Sequence, residues 1–209
     1  MVIGNKLLNQ SEALLSLMRK RRTVRAFSRK KIPRLLVENC ISIAASAPNG
    51  ANMQPWTFVL IEDTKLKRKI RKEAEAVEKL FYKEKISDEW RQKLKPLKTN
   101  TKKEFLTQAP CLICIFAQSY GKDKKGRIIK HYYVSESVGI ATGFLIYSLH
   151  QLGISSLTYT PAPMNFLNKL LSRPENERPF MILAAGYPHK DYKSPKLRKK
   201  DLDSILIRK

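Results

Sequence analysis

The chain has 209 residues, enough for one domain with a sizeable core, and its composition of 43% hydrophobic and 28% charged residues is that of an ordinary folded protein. Its net charge of +23 favours anionic partners, yet the 41 basic residues are spread along the whole chain and form no helix-turn-helix, zinc-finger spacing or aromatic RNA-binding motif, so nucleic acid is not the expected partner. No apolar run reaches membrane-spanning length, residues 1–20 lack the apolar core and cleavage site of a signal peptide, and three cysteines make no disulfide framework; no membrane and a reducing cytoplasm are expected.

Ser11 reads as the cap of a first helix to about Lys20, with Leu14, Leu15, Leu17 and Met18 on its apolar face. Arg21-Arg22-Thr23-Val24-Arg25 follows. Guanidiniums stay charged and meet phosphate oxygens two at a time, and an extended backbone would aim Arg21, Thr23 and Arg25 to one side. A phosphate or another compact anion is the natural ligand, although in so basic a chain these five residues alone read better as a solvated basic surface. Pro33 opens a second helix to about Ser46. Ala47-Pro48-Asn49-Gly50-Ala51-Asn52 is turn chemistry, and residues 56–61 read as a strand.

Thr64 reads as the cap of a long charged helix to about Lys85. Residues 87–100 are polar and irregular, anchored by Trp90, Leu94 and Leu97, and suit a mobile cover. A short helix is expected from about Thr101 to Leu106. Pro110 to Ala117 is nearly all apolar, as in a strand buried on both faces and of parallel type. It contains Cys111 and Cys114, a C-x-x-C whose sulfurs would point to opposite faces of a strand, so neither a redox pair nor zinc is expected. His131, His150 and His189 have no metal-ligand spacing. Tyr120 to Lys130 reads as a basic loop, and His131 to Leu152 as a central helix ended by Gly153. Gly139 and Gly143 would let another helix approach, in the core or at a dimer seam. A strand at 154–160, a helix at 163–171 and a strand at 180–185 follow. The tail, 187–209, ends too apolar (Leu202, Ile205, Leu206, Ile207) to be left unpacked. Alternating strands and helices indicate a mixed sheet covered by helices. No glycine-rich nucleotide loop and no nucleophile triad is legible.

In order and spacing, Arg21 to Arg25, Ala47 to Trp56, Gly153 to Pro161 and Gly186-Tyr187-Pro188 resemble the nitroreductase superfamily, and within it the iodotyrosine deiodinases. The resemblance runs from about Leu17 to Ile205. It implies an α+β fold, a nitroreductase-like mixed sheet flanked by helices, in a single domain over 1–209 with a lid at about 70–106 and a C-terminal extension at about 187–209. It implies an intertwined homodimer with FMN at the interface. Arg21, Arg22, Thr23 and Arg25 would hold the flavin phosphate and edge. Pro48, Asn49 and Gly50 would contact the same flavin from the other subunit. Thr158, Tyr159 and Thr160 would lie against the ring. Thr158, the catalytic candidate, matches the hydroxyl that reaches flavin N5, a contact that favours one-electron steps. Lys199 stands where the deiodinases have an arginine near the flavin phosphate, and Asn49 where they have a serine.

Glu78 and Tyr82, four apart on one helix face, match with Lys103 the clamp on the substrate's amino-acid end: Glu78 for the ammonium, Tyr82 and Lys103 for the carboxylate. The Ala51 N–H matches the donor to the substrate phenolate. The implied activity is removal of iodide from mono- or diiodotyrosine, with electrons from NAD(P)H directly or through a reductase. A broad NAD(P)H nitroreductase or quinone reductase is the alternative, and a non-enzymatic nucleic-acid binder ranks third. The physiological substrate and the electron donor are not legible.

Overall fold

The computed structural model describes residues 2–97 and 99–209. Its centre is a four-stranded sheet of order β1 (Trp56–Ile61), β2 (Cys111–Gln118), β6 (Glu177–Gly186), β5 (Ser155–Tyr159). β3 (Tyr120–Lys122) and β4 (Ile128–Lys130) form a separate hairpin. Every pairing in the main sheet is antiparallel. Its mixed character lies in one parallel bridge, Thr23 to Ser156, which lays the arginine stretch against β5. The parallel type expected for the run after Pro110 is therefore corrected: it is buried on both faces because helices cover both, whatever the strand direction.

β2 carries the alternation that divides the core. Cys111, Ile113, Ile115 and Ala117 face a cluster with α2 (Arg34–Ala45) and α6 (Val134–Gln151). Leu112, Cys114 and Phe116 face the other side, against α3 (Thr64–Leu80), α5 (Phe105–Gln108) and α7 (Phe166–Leu170). The two thiols thus lie on opposite faces, as strand periodicity requires, and burial raises both to a pKa of about 12. Among the described residues no group of three or more metal-ligating side chains occurs. No described helix is long and apolar enough to cross a membrane. The β2–β6 register slips between Ile115 and Phe116, opposite Pro179, a residue with no N–H to give a ladder.

Several boundaries differ from expectation for local reasons. α1 runs from Val2 to Lys20, so Ser11 is inside it and its hydroxyl bonds back to the Leu8 carbonyl at 2.7 Å. Asp63, not Thr64, caps α3, accepting from the Leu66 N–H at 2.5 Å. α3 ends at Leu80 and passes into a π-helical turn, Phe81–Lys85. The polar cover contains α4 (Asp88–Leu94), capped by Ser87, and a 3-10 turn at Lys95–Leu97; Lys98 within it lies outside the described residues. The expected loop after Tyr120 is the β3–β4 hairpin, closed by the Asp123 carboxylate, which accepts from the Lys125 and Arg127 N–H groups. The tail is irregular apart from a 3-10 turn at Leu202–Ser204; Tyr187 and Tyr192 pack against the core, whereas Leu197, Leu202, Ile205, Leu206 and Ile207 are exposed within the single chain.

Candidate active site

A cleft of about 600 Å³ opens between β5, the second half of α3 and the cover that follows it. α3 is amphipathic: Lys67, Ile70 and Ala74 are buried at helical spacing, which turns Glu78 toward the cleft one turn further on. Phe81 and Tyr82 stack edge-on at 5.7 Å, and Phe81 meets Trp90 of α4 at 5.9 Å, forming an aromatic wall. Leu94 and Leu97 complete it. Sequence reading named Trp90, Leu94 and Leu97 only as anchors of a cover and did not single out Phe81. Their grouping on one side of the cleft was not legible, because it depends on the turn after α3.

At the floor, Lys103 is 4% exposed and pairs with Glu78 at 3.1 Å. A buried ion pair gains only if its geometry and further hydrogen bonds outweigh desolvation. Here Lys103 is held from several directions. Its ammonium lies 5.7 Å from the Tyr82 ring centre and 5.5 Å from that of Tyr159. Its backbone N–H donates to Glu75 at 2.7 Å. Glu75 in turn accepts from Arg71 at 2.7 Å, and Arg71 donates to the Thr107 hydroxyl at 3.1 Å. Burial pushes the Glu75 carboxyl up, but the Arg71 and Lys103 donors outweigh it, and the net shift is downward. Sequence reading missed this buttress; its signal was the Arg71–Glu75 spacing of four on the face that carries Glu78.

Arg25, Glu78, Tyr82, Lys103, Thr158, Tyr159 and Thr160 all line the cleft. Arg21, Arg22 and Thr23 are half-buried beside it on the segment bridged to β5. Arg22 donates to the Pro195 carbonyl, and the Tyr192 hydroxyl donates to the Thr23 carbonyl at 3.0 Å, so the tail crosses the arginine stretch. Lys199 is exposed in that tail. Pro48, Asn49, Gly50 and Ala51 are not part of this cleft. They pack at the start of α6, where the Gly50 N–H donates to the Ser137 hydroxyl at 3.3 Å and a Cβ on Gly50 would stand 2.8 Å from the Tyr132 carbonyl oxygen. Asn49 closes its own loop, accepting from the Gln54 N–H at 2.8 Å and donating to the Ala47 carbonyl at 3.1 Å. One chain thus presents two separate groups of the expected site residues.

The family model for nitroreductases matches residues 18–187. The chain belongs to the nitroreductase family. Within that family, it is 46% identical over 202 residues to the iodotyrosine deiodinase of Haliscomenobacter hydrossis, a match spanning 97% of this chain and 91% of that one. It is 41% identical over 204 residues to the iodotyrosine deiodinase of Danio rerio, spanning 97% and 69%. A crystal structure of oxidized iodotyrosine deiodinase bound to FMN and 3-iodo-L-tyrosine is similar with a TM-score of 0.80 at 33% identity, covering 93% of this chain and 97% of that one. The α+β nitroreductase fold expected from the motifs is the fold the chain has.

Proposed function

We propose that this nitroreductase-family chain is an FMN-dependent iodotyrosine deiodinase. The Glu78–Lys103 ion pair at the floor of an aromatic-walled cleft carries the reading, together with relatives of that name over nearly the whole chain. The donor set suits FMN. Arg21, Arg22 and Arg25 are not fully exposed, and none has a carboxylate partner among the described residues. Three unpaired guanidiniums in five residues match a phosphate. Gly50 lets its loop pack against the Tyr132 backbone, where any side chain would collide.

Bound FMN, once reduced, supplies two electrons. In the net reaction the carbon–iodine bond breaks, iodide leaves with an electron pair, and the ring carbon takes a proton, giving tyrosine. The chain's own work is positioning. Glu78 receives the substrate ammonium and Lys103 its carboxylate, with Tyr82 as a further donor, so a zwitterion replaces one ion pair by two. The aromatic wall excludes water and strengthens those contacts. A ligand with only one of the two charges breaks the Glu78–Lys103 pair and leaves one member without a partner, and a ligand with neither gains no contact there, which makes the clamp selective. Thr158 is exposed on β5; its hydroxyl would be offered to the bound flavin at N5, and the Ala51 N–H would serve the phenolate.

The active unit is an intertwined homodimer. Two observations support this: the Pro48–Ala51 loop and the arginine stretch belong to separate places in one chain, and Gly139, Ile140, Gly143 and Phe144 form an exposed face of α6 with nothing against the glycines. NAD(P)H, directly or through a reductase, is the electron source, and the protein acts in the cytoplasm. The segment at about 70–106 acts as the lid. A general nitroreductase has no use for a buried carboxylate–ammonium pair at the floor of its cleft, and none of these observations favours it.

Diiodotyrosine titrated into the FMN-loaded protein should quench flavin fluorescence. Glu78→Gln should weaken that binding by tenfold or more, since a charge-assisted bond is worth about 1.5–3 kcal/mol. Quenching unaffected by the substitution, or no quenching with FMN normally bound, would sink the reading.

A further inference from the structure

Tyr159 is the residue that the site as described leaves unused. The resemblance places it beside the flavin, but strand alternation sends its side chain elsewhere. Leu157 and Tyr159 project into the α3-side core, while Thr158 and Thr160 stay exposed. Its ring is fixed by Phe105, edge-on at 5.2 Å, and by the Lys103 ammonium over its face. Its hydroxyl is buried and has no hydrogen-bond partner, the one such side-chain atom among the described residues. Buried phenols normally find a partner, so an orphan at the wall of a ligand cleft marks a place where the ligand supplies it.

The surroundings say which ligand group fits. Burial first, then the Glu78, Glu75 and Tyr82 groups, push the phenol pKa upward, so it stays protonated at any working pH. The hydroxyl is close enough to Glu78 for an incipient hydrogen bond to add to that shift, yet the two do not reach the geometry of a formed bond. A protonated phenol beside carboxylates has one use for its O–H, a carboxylate, and one for its lone pairs, a cation. Lys103 is over the ring face and already engaged by Glu78.

We infer that the Tyr159 hydroxyl binds the amino group of the substrate: its oxygen accepts an N–H of the ammonium while its O–H turns to Glu78. This rests on the halotyrosine reading and deepens it. Tyr159 and Glu78 together form an ammonium pocket, and Tyr82 and Lys103 serve the carboxylate. The consequence is discrimination against an ammonium with a single N–H, because two acceptors must each receive an N–H.

The test is calorimetric titration of the FMN-loaded protein with 3-iodotyrosine and with its des-amino analogue, 3-(4-hydroxy-3-iodophenyl)propanoate. Tyr159→Phe should weaken iodotyrosine binding about tenfold, the scale of a hydrogen bond to a charged group, and leave the analogue's binding unchanged. Equal weakening of both ligands, or no weakening of either, overturns the inference. A measurement that needs no variant accompanies it. N,N-Dimethyl-3-iodotyrosine keeps the charge with a single N–H, and should bind the unaltered protein about tenfold less tightly than 3-iodotyrosine; equal affinity overturns the inference. If 3-iodotyrosine itself fails to bind the unaltered protein, the deiodinase reading falls and this one with it. Binding that is indifferent to Tyr159 removes this one alone.

Discussion

Glu177 is 4% exposed at the start of β6, and three side chains satisfy it: Arg173 at 2.6 and 2.8 Å, Thr57 at 2.6 Å and Gln118 at 3.3 Å. Burial pushes its carboxyl up, but these donors outweigh burial and hold it below the ordinary range. A carboxyl with a depressed folded pKa contributes stability that is fully present above its unfolded value, about 4.3, and is lost as pH falls through the folded value. Glu177→Gln should therefore lower stability at pH 7 by about 2 kcal/mol, less than a fully buried broken pair because Arg173 keeps partial access to water. Thermal melts at pH 7 and near pH 3 check this: the gap between the two proteins should close in acid, and a pH-independent gap would refute it. This network around Glu177 was not legible in the sequence. Arg173 and Glu177 show helical spacing, but they meet across a turn into a strand, and Thr57 and Gln118 arrive from other strands. The substrate clamp was legible only through resemblance, since Glu78, Tyr82 and Lys103 taken singly read as solvated residues.

The loop over residues 47–54 shows how an element is held in a costly shape. Ala51, Asn52 and Gln54 have φ of 48°, 55° and 48°, in the left-handed region that costs a non-glycine residue about 1–2 kcal/mol each. The two Asn49 carboxamide bonds, the Gly50 bond to Ser137 and the close contact with Tyr132 offset that strain. Gly50→Ala would put a methyl 2.8 Å from a backbone oxygen and 3.3 Å from the Tyr133 ring, neither of which gives way cheaply. It should cost about 1–3 kcal/mol and loosen FMN, read as a lower melting temperature and faster loss of FMN on dialysis. Unchanged FMN retention would argue that this loop does not face the flavin. The turn itself was legible from its Pro-Asn-Gly composition, and β1 and β2 from their apolar runs. The β3–β4 hairpin was not, because its strands are only three residues long and lie outside the main sheet, too short for a period to show. Nor was the start of α1, whose leucines at 7 and 8 are exposed within the chain. Periodicity reports an apolar face only where a core, or a partner, is there to define it.

For the whole molecule, apolar exposure and charge pull in opposite directions. Leu7, Leu8, Leu14 and Leu15 of α1, Ile140, Phe144 and Tyr147 of α6, and Leu202, Ile205, Leu206 and Ile207 of the tail are exposed in the single chain. Burying such faces against a second copy is worth about 25 cal/mol per Å² of apolar surface. Each copy, however, brings a net charge of +23, and like charges repel over a Debye length of about 10 Å at 0.1 M salt and about 30 Å at 0.01 M. The proposed dimer should therefore tighten, not loosen, as salt rises from about 0.02 to 0.3 M, the reverse of an interface built on opposite charges. Bound FMN should act in the same direction, since each phosphate removes positive charge beside Arg21, Arg22 and Arg25. Sedimentation at several salt concentrations, with and without FMN, measures this directly. Replacing Ile140 and Phe144 by glutamate buries charge at the seam without touching either group of site residues. That variant should sediment as a monomer and lose FMN together with its partner, because the guanidiniums and the Gly50 loop then no longer meet. A monomer that keeps FMN at full affinity would mean that one chain alone completes the site.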